Sequence, residues 1–283
     1  MTLKDRVALV TGGSQGIGKA IVERLLREGA RVAFCGRSAE ALAASRNELS
    51  VIDPQVLALE ADVTSEGDIQ NLVGATLNRF SRLDILVNNA GVYGPIGPAW
   101  ENDPREWRET IMTNLVGTFL VCRAVIPALI RAGRGKIVNI SGGGAATPFP
   151  RFTAYAVSKT ALVRFTETLA LELKEHNIQV NAVAPGFVVT RLHQQTLKAG
   201  ARAGPDFLKN TQEQIAQGGV DPAIPAGLVA FLASDRADRI TGKLFSSVWD
   251  DWANCEAHLG EMEATDVYTL RRVVPADRGM KWK

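Results

Sequence analysis

Tyr155 and Lys159 stand at i and i+4 in TAYAVSK, at the start of a segment whose amphipathic pattern runs on through LVRFTETLALELKE. On a helix such residues share one face. A free phenol, with a pKa of about 10, is no base near neutrality, but a neighbouring ammonium favours its phenolate. The pair can therefore pass a proton to or from a substrate oxygen. Upstream, NISGGGAATPFPRF carries Ser141 and then three glycines, where a hydroxyl that polarises such an oxygen would be expected. Asn114, in the middle of the apolar TIMTNLVGTFLV, costs stability unless it is satisfied, which marks a functional or helix-bending position. A lone Y-x-x-x-K is common, so its meaning rests on the elements around it.

A second chemical feature is TGGSQGIG, residues 11–18, lying between the strand-like RVALV and the helical IGKAIVERLLREG. A tight turn there lets the backbone come close to a pyrophosphate, whose charge meets free N–H groups and the positive end of a helix. Gly12, Ser14, Gln15, Gly16, Ile17 and Gly18 are the candidate contacts. Their spacing differs from G-x-G-x-x-G, and as an isolated cluster they would form only a turn.

The elements that must hold these residues are legible from periodicity. RVALVTG, ARVAFCG, QVLALEA, DILVNNA, GKIVNIS, IQVNAVA and ITGKLFSSV read as seven strands, separated by about six amphipathic helices, the first stopped by Gly29. Strands apolar on both faces with helical crossovers predict an α/β fold with a doubly wound parallel sheet covered on both sides. Ligands of such sheets sit beyond the carboxyl ends of the strands. Residues 194–223, polar and rich in Gly, Ala and Gln, predict either a lid over the substrate or a plain surface insertion. The sequence divides into a single domain over residues 1–249 and a C-terminal extension over 250–283. The extension, with Trp252, Tyr268, Trp282 and LRRVVPADRG, is too aromatic for a disordered end and is expected to dock on the body or on a neighbouring subunit.

Composition narrows the partners. A net charge of +2, from basic and acidic residues spread along the chain, gives no footprint for nucleic acid or an anionic membrane, so a small molecule is expected. The opening MTLKDRVALV leaves no room for a leader, and no uninterrupted apolar run reaches spanning length. Cys35, Cys122 and Cys255 are odd in number and far apart, which predicts free thiols in a cytoplasmic protein. His176, His193 and His258 do not occur at ligand spacing, and no metal site is expected.

TGxxxGxG after the first strand, NNAG at 88–91, Asn114, YxxxK at 155–159 and PGxxxT at 185–190 occur in that order, and together they resemble the short-chain dehydrogenase/reductase family over residues 1 to about 245. The resemblance implies a Rossmann-type domain, NAD or NADP as cofactor, and hydride transfer between a ketone or aldehyde and an alcohol. It also implies that Tyr155 shuttles the proton, that Lys159 holds the ribose hydroxyls and lowers the phenol pKa together with the oxidised nicotinamide, and that Asn114 holds a water linking Lys159 to solvent. Asp62 and Val63 resemble the family's adenine contact, Asn89, Ala90 and Gly91 its room for the cofactor backbone, and Pro185, Gly186, Val188 and Thr190 its nicotinamide and phosphate contacts. Asp62 as a helix cap is the structural alternative. At the end of the second strand, where an acidic residue would select NAD, stand Gly36, Arg37 and Ser38. A guanidinium there can hold a 2′-phosphate, which favours NADP.

Two departures from the family pattern stand out. Its usual NxSS places the catalytic serine thirteen residues before the tyrosine, and here that position is Gly142. Ser141 would point to the opposite face of a regular strand. Either the glycines let Ser141 swing toward the substrate, or a backbone N–H of Gly142 or Gly143, or a hydroxyl of Thr147 or Thr153, takes over. The last strand, usually closed by Gly-Gly, reads KLFSSVWDDW, so the C-terminal wall of the pocket is rebuilt. An oxidoreductase acting on a small carbonyl or alcohol, assembled as a homodimer or homotetramer, is the expected protein. The alternative is a cofactor-binding sensor or scaffold that lost efficient catalysis with the second serine.

Overall fold

A computed structural model describes residues 2–282. Seven strands form one parallel sheet in the order β3-β2-β1-β4-β5-β6-β7: β1 Val7–Thr11, β2 Arg31–Gly36, β3 Leu57–Glu60, β4 Ile85–Asn88, β5 Gly135–Ile140, β6 Ile178–Ala184 and β7 Leu244–Ser246. The seven sequence segments thus become the seven strands. Their side chains alternate between the two layers, as the strand period demands. Ala8, Val10, Val32 and Phe34 join one core cluster, while Val7, Leu9, Ala33 and Cys35 join the other.

The first layer is built by α1 (Gly16–Arg27), α2 (Ala39–Leu49) and α9 (Ala223–Ala233), the second by α3 (Glu66–Phe80), α5 (Gly117–Ala132) and α6 (Thr153–Glu172). Gly29 ends α1 as expected, donating its amide to Leu26 O. Among the described residues there are more helices than the six anticipated. The additions are α4 (Pro104–Ile111), α7 (Arg191–Ala199), α8 (Pro205–Ala216) and the short α10 (Leu259–Ala264). Residues 194–223, expected as a lid or insertion, are thus largely helical, with Phe207 of α8 seated on Phe149 and Phe152.

α4 and α5 are joined without a break by a single wide π-turn, Met112–Val116. The resulting helix, Pro104–Ala132, contains an 18-residue stretch of mean hydropathy 1.8. It is not an uninterrupted apolar run, because Thr113, Asn114, Thr118 and Arg123 break it. The helix packs on α3 and α6 as a core element of the layer. The π-turn is where Asn114 sits, which agrees with a helix-bending role.

Neighbouring strands are tied by buried amides. Asn88 Nδ2 donates to Asn139 Oδ1 at 2.9 Å, and Asn139 Nδ2 donates to Thr166 Oγ1 at 2.8 Å, linking β4, β5 and α6. The C-terminal extension lies against the edge of β7. Tyr268 O accepts from Leu244 N at 2.8 Å, Lys243 Nζ donates to Thr265 O and Val267 O, and Leu270 N donates to Glu167 Oε1. Tyr268 packs on Phe245, and Leu270 joins Ala145, Val163 and Ala182.

Replacing Asn139 by Ala leaves the buried Asn88 amide with only the weak Cys122 Sγ acceptor and the Thr166 hydroxyl with only its bond to Leu162 O. The expected cost is about 1–3 kcal/mol, read as a lower midpoint of urea unfolding.

Candidate active site

The carboxyl ends of β1 and β4 lie side by side in register, Thr11 opposite Asn88, and both chains then turn away from the sheet. The Thr11 hydroxyl accepts from the amides of Asn89 and Ala90, while Asn89 Nδ2 donates to Thr11 O and Gly12 O. Thr11 was not singled out in the sequence. Its signal was only that a polar residue ends a wholly apolar strand. A cleft of about 890 Å³ opens beyond these ends.

One end of the cleft is lined by Gly12, Ser14, Gln15, Gly16, Ile17 and Gly18. Gln15 provides no side-chain cap and the first turn of α1 holds no acid, so its free N–H groups and positive pole face the cleft. A Cβ at Gly18 would stand 2.1 Å from Gly12 O, so only glycine lets the helix start that close to the turn. This bare cradle fits the pyrophosphate of a dinucleotide. Arg37, Ser38, Asp62 and Val63 line the far side, with Ala90 and Gly91 on the floor. Arg37 Nη1 lies 3.9 Å from Asp62 Oδ2, and both are well exposed. Ser38 caps α2, and Asp62 accepts from Thr64 N and Oγ1, so both also hold local backbone.

From the PGFVVT segment, Pro185 and Thr190 line the cleft. Gly186 and Val188 do not, and Val188 is buried; Val189 takes the lining place instead. Thr190 caps α7 together with His193. The rebuilt wall after β7 has a specific function in holding this loop, because buried Ser247 donates its hydroxyl to Pro185 O at 3.0 Å and its amide to Ala184 O.

Tyr155 and Lys159 share a face of α6 and both reach the cleft. Lys159 Nζ is buried, donates to Ile140 O at 2.8 Å and lies 5.6 Å from the centre of the Tyr155 ring. Burial pushes Lys159 down to about 8. Burial first, and Tyr93 second, push Tyr155 up rather than down, so the nearby ammonium expected to favour phenolate does not prevail here. Tyr155 is held as the neutral phenol here. Tyr93, two positions after NNAG, meets it edge-on with ring centroids 4.7 Å apart, and Phe149, Phe152 and Phe207 complete an aromatic cluster. Sequence patterns could not expose this cluster, since its members come from three separate segments.

Asn114 does not line the cleft. Fully buried, it accepts from Val92 N and donates to Val92 O, both at 2.8 Å, and donates to Ser158 Oγ at 3.0 Å. It clamps the loop after β4 to the turn before Lys159. Ser141 continues β5 regularly, its amide bonded to Val183 O, and its buried hydroxyl faces Lys159 O at 3.5 Å. Ser141 lines the cleft beside Tyr155 and Lys159.

Residues 6–200 match the family model for short chain dehydrogenases. The sequence is 36% identical over 242 residues to 2-(R)-hydroxypropyl-CoM dehydrogenase of Xanthobacter autotrophicus, covering 84% of this chain and 95% of that one. Among solved structures, NAD+-bound xylitol dehydrogenase superposes with a TM-score of 0.81 at 29% identity, over 87% of this chain and 98% of that one. Actinorhodin polyketide ketoreductase with NADPH does so with a TM-score of 0.80 at 33% identity, over 88% and 97%. A Rossmann-type sheet with a nicotinamide-dinucleotide site is therefore the class that fold and cleft define. The chain belongs to the short-chain dehydrogenase/reductase family.

His193, packed between Phe187 and Tyr93, is pushed down to about 4 by burial, against an opposing hydrogen bond that its ring donates to the Val188 backbone. The unfolded chain therefore binds its proton first as pH falls. Stability linked to His193 is complete above about pH 6.5 and is lost toward pH 4. The thermal midpoint of the wild type should fall further than that of His193→Gln between pH 7 and 4.5.

Proposed function

We propose that this chain is an NADP-preferring oxidoreductase that interconverts a ketone or aldehyde and an alcohol. The observation that carries the reading is the meeting, in one cleft, of the bare glycine turn before α1 with Tyr155 and Lys159 on α6. Family membership supplies the nicotinamide cofactor, and the relatives with bound cofactor include both NAD+ and NADPH forms. When bound, the nicotinamide gives a hydride to the carbonyl carbon in reduction or takes one from the alcohol carbon in oxidation.

The remaining work falls to the chain itself. Protonated Tyr155 gives its hydroxyl proton to the substrate oxygen in reduction and takes it back in oxidation. Lys159, held by Ile140 O, places its charge below the cleft floor where the ribose hydroxyls would lie, and Asn114 fixes the loop and helix turn that carry this arrangement. Tyr93, Phe149 and Phe152 supply an apolar surface beside Tyr155 that keeps water from the transferred proton. The NADP preference is supported by Arg37 on the cleft wall with Ser38 next to it and no acid at the end of β2.

The reading extends to assembly and compartment. Met112, Phe119 and Ile130 on the long helix, and Val157 and Leu171 on α6, are exposed apolar side chains suited to a homodimer or homotetramer. A cytoplasmic, small-molecule enzyme accords with the free cysteines and balanced charge.

The test is loss of absorbance at 340 nm with NADPH or NADH and a panel of ketones, aldehydes and keto-sugars. Tyr155→Phe should abolish turnover while leaving cofactor binding intact; cofactor binding by the wild type without turnover of any panel member would favour a sensor instead. Arg37→Ala should raise KM for NADPH by about tenfold and leave that for NADH within about threefold, as loss of a charge-assisted contact implies.

A further inference from the structure

Resting on the oxidoreductase reading, the question is what polarises the substrate oxygen beside Tyr155. The geometry points to the main chain: we propose that the amide of Gly142 is the donor, in place of a serine hydroxyl.

A side chain at position 142 has no room. A Cβ built on Gly142 would stand 2.3 Å from Tyr155 Oη and 3.2 Å from Cζ, so the phenol packs directly on the bare backbone. Glycine here is a condition of where Tyr155 stands, and a serine in its place would displace the catalytic hydroxyl. Ser141 lines the cleft, but its amide keeps it in register with Val183 and its hydroxyl faces Lys159 O at 3.5 Å, directed at the helix backbone. Thr153 Oγ1 accepts from Trp107 Nε1, and Thr147 is exposed on the loop beyond.

The backbone is differently placed. Along a parallel strand successive amides turn to alternate neighbours. Ser141 N reaches β6, so Gly142 N turns toward β4, but β4 has left the sheet after Asn88. What lies there is the cleft floor at Ala90 and Gly91. Gly142 O accepts from Ala145 N at 3.3 Å, closing a turn in which Gly144 takes φ +85°, a value suited to glycine. Gly142 and Gly143 donate to no acceptor among the described residues. An amide without an acceptor, on the residue that packs against the proton-donating phenol, is a donor of the kind that stabilises charge developing on a carbonyl oxygen. In reduction that oxygen gains the electron pair of the C=O bond as hydride arrives at carbon, and the Tyr155 proton then neutralises it.

The test compares Gly142→Ser, Ser141→Ala, Thr147→Ala and Thr153→Ala with the wild type. It measures kcat and KM on the fastest ketone of the panel, and NADPH affinity by fluorescence of the bound nucleotide. Gly142→Ser is expected to lower kcat by tenfold or more with NADPH affinity retained, and each hydroxyl-deleting variant to lose less than tenfold. Glycine-selective ¹⁵N labelling should show the Gly142 amide proton moving downfield when that ketone binds the protein carrying oxidised cofactor. Increased turnover by Gly142→Ser would overturn the proposal, as a site that had merely lost its serine would regain it. A loss of about a hundredfold in any hydroxyl variant, the size expected for a deleted oxyanion donor, would overturn it as well. An unmoved Gly142 amide would do the same. Wild-type protein that binds NADPH but reduces nothing defeats the functional reading and the proposal with it, a failure distinguished by the absence of any rate to compare.

Discussion

The site depends on where β1 and β4 stop. Both leave the sheet after the paired Thr11 and Asn88, and the Thr11 hydroxyl holds the departing chain through the amides of Asn89 and Ala90. That one hydroxyl fixes the separation between the glycine turn and the cleft floor. Everything that follows is placed relative to it: α1 with its free amides on one side, Gly91 under Lys159 on the other, and Val92 within reach of Asn114.

Around that opening the protein arranges charge by exclusion more than by pairing. No acid stands in the first turn of α1, and Lys159 has a carbonyl for a partner instead of a carboxylate. Its lowered pKa records the burial of an ammonium that an incoming ligand must help to satisfy. Tyr155 shifts the opposite way, so in this state the pair is biased toward a neutral phenol. The positive charge of an oxidised nicotinamide is what could shift that balance toward phenolate.

Much of this was legible in the sequence, for physical reasons. Strands of a doubly covered sheet must be apolar on both faces, which made all seven visible, and i, i+4 spacing made Tyr155 and Lys159 a pair before any coordinates. The contacts that decide the site's details are non-local. The clamp of Asn114 on Val92 spans twenty-two positions, and the π-turn around it leaves no periodic trace. The aromatic cluster draws Tyr93, Phe149 and Phe207 from separate loops and helices. Val189 in place of Val188 on the cleft wall is a one-residue matter of loop direction, below what pattern can fix. The substitution of Gly142 was visible as a missing hydroxyl, while its cause, the approach of Tyr155, needed three dimensions.

The lie of the C-terminal extension has a consequence for how the protein meets other chains. On the outer side of β7, Leu244 N is taken by Tyr268 O and Ser246 N by the Asp250 carboxylate. A sheet edge with its donors filled in this way gives an approaching strand nothing to pair with. The extension thereby acts as a selvedge along β7, finishing that edge of the sheet so that its amides are not offered to a stranger.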